Sequence, residues 1–166
     1  MSRRAGMPWS DRETRLRAIL ESVPGAVYRR SARAPWHFSY LSDGVKPITG
    51  HLAADLVTPG PAPDALAPVP EDLAATTAAV MTAVAAGEPY DVEYRVSHVD
   101  GTTRWVHDRG QPERNAAGAV DWIDGILFDV TERKLAEQAL RDSEARYSAV
   151  ALFTFSRSPP WNQAAG

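Results

Sequence analysis

The chain contains no cysteine. This removes disulfides, thiolate metal sites, cysteine nucleophiles and any chromophore attached through sulfur. Long apolar runs are also missing: the richest stretch, Leu73–Ala86, is diluted by Thr and Ala and is too short to span a bilayer. The first ten residues carry basic side chains with no apolar run behind them, so they do not read as a secretory signal, and the cytoplasm is the expected compartment. With a net charge of −3 and scattered Lys and Arg, the chain has no basic stripe for a phosphate backbone, and no nucleic-acid partner is expected. The histidines, His37, His51, His98 and His107, form no i, i+4 or HxH pair, so no metal site is expected. No nucleophile elbow, HExxH, phosphate-binding loop or kinase signature occurs, and no catalytic residue is assigned.

What is present suits one globular domain with flanking segments, since 44% of the 166 residues are hydrophobic and 23% charged. Residues 1–10 read as a disordered tail. From Asp11, Leu16, Ile19, Leu20 and Val23 fall at helical spacing until Pro24-Gly25 stops the helix. Ala26–Ser31 and Trp36–Ser42 read as a hairpin, with Trp36, Phe38 and Tyr40 alternating onto one inward face. Ser42 to Gly50 offers a cap, one or two helical turns and a glycine stop. Five prolines between Thr58 and Pro70 exclude regular helix and central strand there, whereas Pro70-Glu71-Asp72 suits the start of a helix reaching Ala86.

Three strands follow. Tyr90, Val92, Tyr94 and Val96 alternate with polar residues, as in a half-buried antiparallel strand. Asp100-Gly101 is a tight-turn signal leading to a strand at about Thr102–Pro112. A turn at Asn115–Gly118 leads to Ala119–Val130, where Val120, Trp122, Ile126, Phe128 and Val130 share one parity. A charged helix then runs from Glu132 to about Ala149, with Ala136, Leu140, Ser143 and Tyr147 forming a thin seam suited to a two-helix contact. Glu93 and Arg95 read as a cross-strand charge pattern rather than an acid–base pair.

This order resembles a PAS domain, and the local sequence agrees over about Leu16 to Tyr147. Pro24-Gly25-Ala26-Val27-Tyr28 resembles the opening of a PAS subclass, and Tyr40-Leu41-Ser42-Asp43-Gly44 with Ile48-Thr49-Gly50 is similar to its second strand and turn. Glu93-Tyr94-Arg95, Asp100-Gly101, Arg104-Trp105-Val106, Gly125 and Asp129-Val130-Thr131-Glu132-Arg133-Lys134 follow the closing PAC motif in order. Two positions depart from the pattern: Val69 precedes Pro70-Glu71-Asp72 where relatives commonly have His, and His51 follows Thr49-Gly50 where Tyr is common.

The resemblance implies an α+β PAS fold, a five-stranded antiparallel sheet with helices packed on one face plus N-terminal and C-terminal flanking helices. It implies a domain over 11–130, a signalling helix or linker over 131–149, and an irregular tail over 150–166 that reads as the truncated or frame-shifted start of a following domain. The implied role is a sensory and signal-relay module of a two-component sensor histidine kinase or, second, a diguanylate cyclase. The alternative is a ligand-free dimerisation scaffold. The signal-transfer junction is expected at Asp129, Val130, Thr131 and Glu132. A ligand cavity is expected among Trp36, Phe38, Tyr40, His51, Tyr94, Trp105, Trp122 and Phe128, although the same residues would equally write a filled core. No cofactor is required: the long helix carries no histidine for haem, the lack of cysteine excludes a cysteinyl-flavin adduct, and noncovalent flavin stays open. Expected partners are a second copy through the flanking helices, a downstream output domain and a small-molecule ligand.

Overall fold

The computed structural model describes residues 11–33, 36–57 and 64–155; the tail expected over 1–10 lies outside them. Its order is α1 (Asp11–Ser22), β1 (Ala26–Ser31), β2 (Phe38–Leu41), a 3-10 turn (Asp43–Val45), α2 (Lys46–Thr49), α3 (Ala53–Leu56), a 3-10 turn (Asp64–Leu66), α4 (Pro70–Ala86), β3 (Tyr90–Ser97), β4 (Thr103–Arg114), β5 (Val120–Asp129) and α5 (Thr131–Phe155). The five strands form one antiparallel sheet in the order β2-β1-β5-β4-β3. The chain divides into two units, one ending at Val130 and the other beginning at Thr131.

One face of the sheet builds the core. Ala26, Tyr28, Phe38, Leu41, Tyr90, Tyr94, Val96, Val106, Ile123 and Leu127 are buried there together with Val45, Ile48, Leu56, Val80 and Val84 from the helical segments. β3 alternates as its sequence pattern requires, with Tyr90, Tyr94 and Val96 buried and Asp91, Glu93 and Ser97 exposed. The β1–β2 corner is closed twice, since Ser42 N–H donates to the Val27 carbonyl and Ser42 Oγ accepts from Val27 N–H, both at 2.9 Å.

α4 begins at Pro70, where a missing N–H costs nothing. Its first turn is held to β3 by Asp72, whose carboxylate accepts Nε and Nη2 of Arg95 at 2.9 and 2.7 Å and also the Arg95 backbone N–H at 2.9 Å. Arg95 therefore pairs with the helix. At the other end, Arg114 Nη2 donates to the Ala86 carbonyl at 2.7 Å, placing a cation on the negative end of the helix dipole.

Three expectations change. The hairpin carries a bulge between Arg29 and Arg30, where Arg29 opposes Tyr40 and Arg30 opposes Phe38, so Ser39 is the extra residue. The bulge reverses parity, and Phe38 faces the core while Tyr40 faces the other side. In β5 the core face is taken by Ile123 and Leu127, which leaves Trp122, Ile126 and Phe128 on the outer face. Finally, α5 continues to Phe155, six residues into the segment expected to be irregular; residues 156–166 lie outside the described ones.

Four residues form a row straight across the inner face: Tyr28 opposes Gly125, Gly125 opposes Gly110, and Gly110 opposes Tyr90. The two tyrosine rings lie over the two glycines, and a methyl at Gly110 would be driven into the Tyr90 ring and one at Gly125 into Tyr28. Strand propensity alone makes Ala better than Gly by about 0.5–1 kcal/mol. Gly110→Ala and Gly125→Ala are expected instead to destabilise the domain by about 1–3 kcal/mol through overpacking, measured by thermal or urea melts; an unchanged or raised midpoint would show that the rings give way freely.

Candidate functional site

The tyrosines that cross the glycine pair bring their hydroxyls together at 2.6 Å, and Tyr28 also donates to Asp108 Oδ1 at 2.7 Å. Tyr94 donates to Asp108 Oδ2 at 3.2 Å, and Arg30 Nη2 donates to the Tyr90 hydroxyl at 3.3 Å. Because the Tyr28 proton goes to Asp108, one direction satisfies the chain: Arg30 donates to Tyr90, Tyr90 to Tyr28, and Tyr28 to Asp108. Asp108 points inward from β4 and is 5% exposed. Burial raises its carboxyl pKa, against the Tyr28 hydrogen bond, the Arg30 charge and the Tyr94 hydrogen bond. Burial, then the Asp108 carboxylate, likewise pushes the Tyr28 and Tyr94 phenols well above their ordinary value, so both stay donors.

This cluster forms one wall of a cavity of about 390 Å³ between the inner face of the sheet and α4. That volume lies in the range of small-molecule sites. Leu73, Thr76, Thr77, Val80 and Met81 recur at three- and four-residue spacing, so one stripe of α4 lines it; Phe38, Leu127 and the segment Leu66–Pro68 complete the apolar part. Tyr28 and Phe38 meet edge to face at 5.9 Å.

Of the residues expected to line a cavity, Trp36, Phe38 and Tyr94 do so, with Trp36 39% exposed. The others do not. Tyr40 borders a separate groove on the outer face with Val27 and Ile126. Trp105 lies outside with Arg95 5.5 Å over its ring, Trp122 carries Arg29 at 6.0 Å, and Phe128 sits beside His107. His51 belongs to the turn after α2, where its N–H donates to Thr49 Oγ1 at 3.2 Å, and lines neither cavity nor groove. Sequence reasoning missed Arg30 and Asp108, because a charged residue in a strand reads as solvent-facing. The two mid-strand glycines were the available signal, since glycine inside a strand marks a close approach of another group.

At the expected junction, Val130 N–H donates to the Trp105 carbonyl at 2.9 Å, and α5 starts with the next residue, Thr131. On α5, Leu135, Leu140 and Tyr147 are 64%, 61% and 76% exposed. Among the described residues no cluster of His, Asp and Glu is placed to hold a metal, and no helix is long and apolar enough to cross a membrane.

Comparison with known proteins gives concordant results. The family model described as PAS fold matches residues 38–127. The methyl sulfide methyltransferase-associated sensor of Methanosarcina acetivorans is 30% identical over 131 residues, covering 78% of this chain and 13% of that protein. The two-component sensor PprA of Pseudomonas aeruginosa is 29% identical over 136 residues, covering 80% of this chain and 14% of that protein. The chain thus spans about a seventh of the length of these relatives. Among solved structures, a sensory box histidine kinase/response regulator from Burkholderia thailandensis superimposes with a TM-score of 0.63 at 29% identity, over 81% of this chain and 98% of that one.

The pKa shift of Asp108 sets a pH test. A folded-state pKa above the unfolded value means that the folded chain holds a proton the unfolded chain has released. The stability this contributes is fully present below the ordinary carboxylate pKa of about 3.9 and is lost as pH rises through the folded value. Asp108→Asn keeps an uncharged side chain at every pH. Its melting temperature relative to the parent is expected to climb from pH 4 upward; parallel curves would show that Asp108 ionises at no cost.

Proposed function

The chain belongs to the PAS-fold family and is a PAS sensory domain, and from that premise we propose that its cavity binds a small amphipathic molecule whose occupancy sets the output of a larger signalling protein. The observation that carries this reading is the cavity itself, an apolar space of about 390 Å³ with one polar wall built from Arg30, Asp108 and tyrosine hydroxyls. A sheet face meant only as core would have closed over it. The larger protein is a two-component sensor histidine kinase, in keeping with the sensors and the histidine kinase the chain resembles, with a diguanylate cyclase second. It works in the cytoplasm, and catalysis lies outside this domain.

The route by which occupancy leaves the domain is supported by a run of direct contacts. Cavity-lining α4 is tied by Asp72 to Arg95, Arg95 lies over the Trp105 ring, and the Trp105 carbonyl holds Val130 at the boundary with α5. A ligand that shifts α4 moves Asp72, and the strain reaches Asp129, Val130, Thr131 and Glu132. The apolar residues exposed along α5 suit pairing with a second copy. A ligand-free dimerisation scaffold would use that same seam, but it gives the cavity no task.

Two measurements test the proposal. Native mass spectrometry of the purified chain is expected to show a retained small molecule, or thermal-shift screening to find one that stabilises the fold by about 2.7 kcal/mol at a hundred times its Kd. Val80→Phe, which crowds the α4 wall of the cavity, is expected to weaken that stabilisation; an undiminished shift in this variant places the ligand elsewhere. In a full-length parent, Asp72→Asn and Thr131→Ala are expected to weaken the response to ligand. Unaltered signalling from a folded Asp72→Asn protein would exclude the α4 route.

A further inference from the structure

Arg30 and Arg29 are neighbours in β1 with opposite surroundings. Arg29, on the outer face, is held by Asp124 through Nε at 2.7 Å and Nη2 at 2.8 Å and also meets Glu113. Arg95 is held as fully by Asp72. Arg30 points to the inner face, opposite Phe38 and Ile123, and lines the cavity. Its one hydrogen bond among the described residues is the 3.3 Å contact with Tyr90, and none of their carboxylates lies within ion-pair distance of it. The nearest inward carboxylate, Asp108, is occupied by Tyr28 and Tyr94. The partly buried guanidinium therefore lines the cavity with N–H donors for which the described residues supply no acceptor beyond the Tyr90 hydroxyl. A cation drawn from water with no carboxylate in ion-pair contact is costly, and a bound anion offsets that cost.

We propose that the cavity takes a small organic monocarboxylate with an apolar body, its carboxylate held by the Arg30 fork and its body lying against Phe38, Leu66, Leu73, Val80, Met81 and Leu127. This rests on the sensory-cavity reading above and names the ligand class for that site. The planar fork matches a carboxylate in two parallel hydrogen bonds. One guanidinium balances one negative charge. A phosphate dianion calls for a second full cation or a nest of backbone N–H groups; His37 is the other basic side chain on the lining, and the nearby start of α4 is acidic, with Glu71 and Asp72 in its first turn. The lining of α4 adds two hydroxyls, Thr76 and Thr77, and no charge. Binding would also draw Arg30 from the Tyr90 hydroxyl, loosening the donor chain that crosses the sheet to Asp108.

The test compares octanoate with octanamide, of equal length and differing in charge, on the chain by calorimetry and thermal shift. Octanoate is expected to bind about tenfold or more tighter, as charge-assisted hydrogen bonds require. Arg30→Gln is expected to bring octanoate down to the level of octanamide while leaving octanamide unchanged. Equal binding of both probes by the unmodified chain, which needs no variant to fold, overturns the proposal and leaves the cavity reading standing, as does undiminished octanoate binding by folded Arg30→Gln. Tighter binding of octyl phosphate than of octanoate overturns the choice of carboxylate. If neither probe binds and native mass spectrometry finds no retained molecule, the cavity reading itself fails and this proposal with it.

Discussion

The meeting of two tyrosine hydroxyls above two glycines organises this domain. Tyr28 and Tyr90 come from β1 and β3, which are separated by β5 and β4, and they can touch only because Gly125 and Gly110 leave the intervening surface bare. The rings cover that surface, and Tyr28 from this pair and Tyr94 beside it donate to Asp108, so an acid side chain is held in the interior with both oxygens hydrogen-bonded. Leaving a buried charge unpartnered costs several kcal/mol, so each part of the arrangement requires the others. With the polar groups gathered on one wall, the space toward α4 is left to apolar side chains, and a cavity with two chemically distinct ends results.

The electrostatics of the domain follow the same division. Outward-facing arginines are paired with carboxylates, as Arg29 is with Asp124 and Arg95 with Asp72, and Arg114 is set on the end of a helix. Arg30, facing in, is held among the described residues only by a phenol. Exposed ion pairs contribute little to stability, about 0–1 kcal/mol each. Their value here is positional: the Asp72 pair ties the first turn of α4 to β3.

Much of the fold was legible along the chain, for reasons that can be named. β3 shows because its buried face is apolar and its other face polar, and the strand ends show because Asp100-Gly101 and Asn115–Gly118 are chemically suited to turns: Asp100 Oδ1 accepts the Thr102 N–H, and Asn115 Oδ1 accepts from Ala117 and Ala119. β5 misled because both of its parities are apolar, so Ile123 and Leu127 compete with Trp122, Ile126 and Phe128 and alternation has no preferred phase. In β2 a single extra residue at Ser39 turned Tyr40 outward, a reversal that periodicity cannot register. The candidate site was half legible: Trp36, Phe38 and Tyr94 line the cavity, whereas Arg30 and Asp108 read as surface charges.

By itself, then, the sequence determined the element order, the PAS resemblance and the absence of cysteine chemistry, because turn residues, proline positions and apolar alternation act over a few neighbouring residues. Which face each strand presents, whether the aromatic residues fill the core or surround a space, and which charges lie inside were decided only by tertiary structure. The physical reason is that these depend on cross-strand register: Tyr28 and Tyr90 are 62 residues apart along the chain, and only the sheet brings their hydroxyls to 2.6 Å.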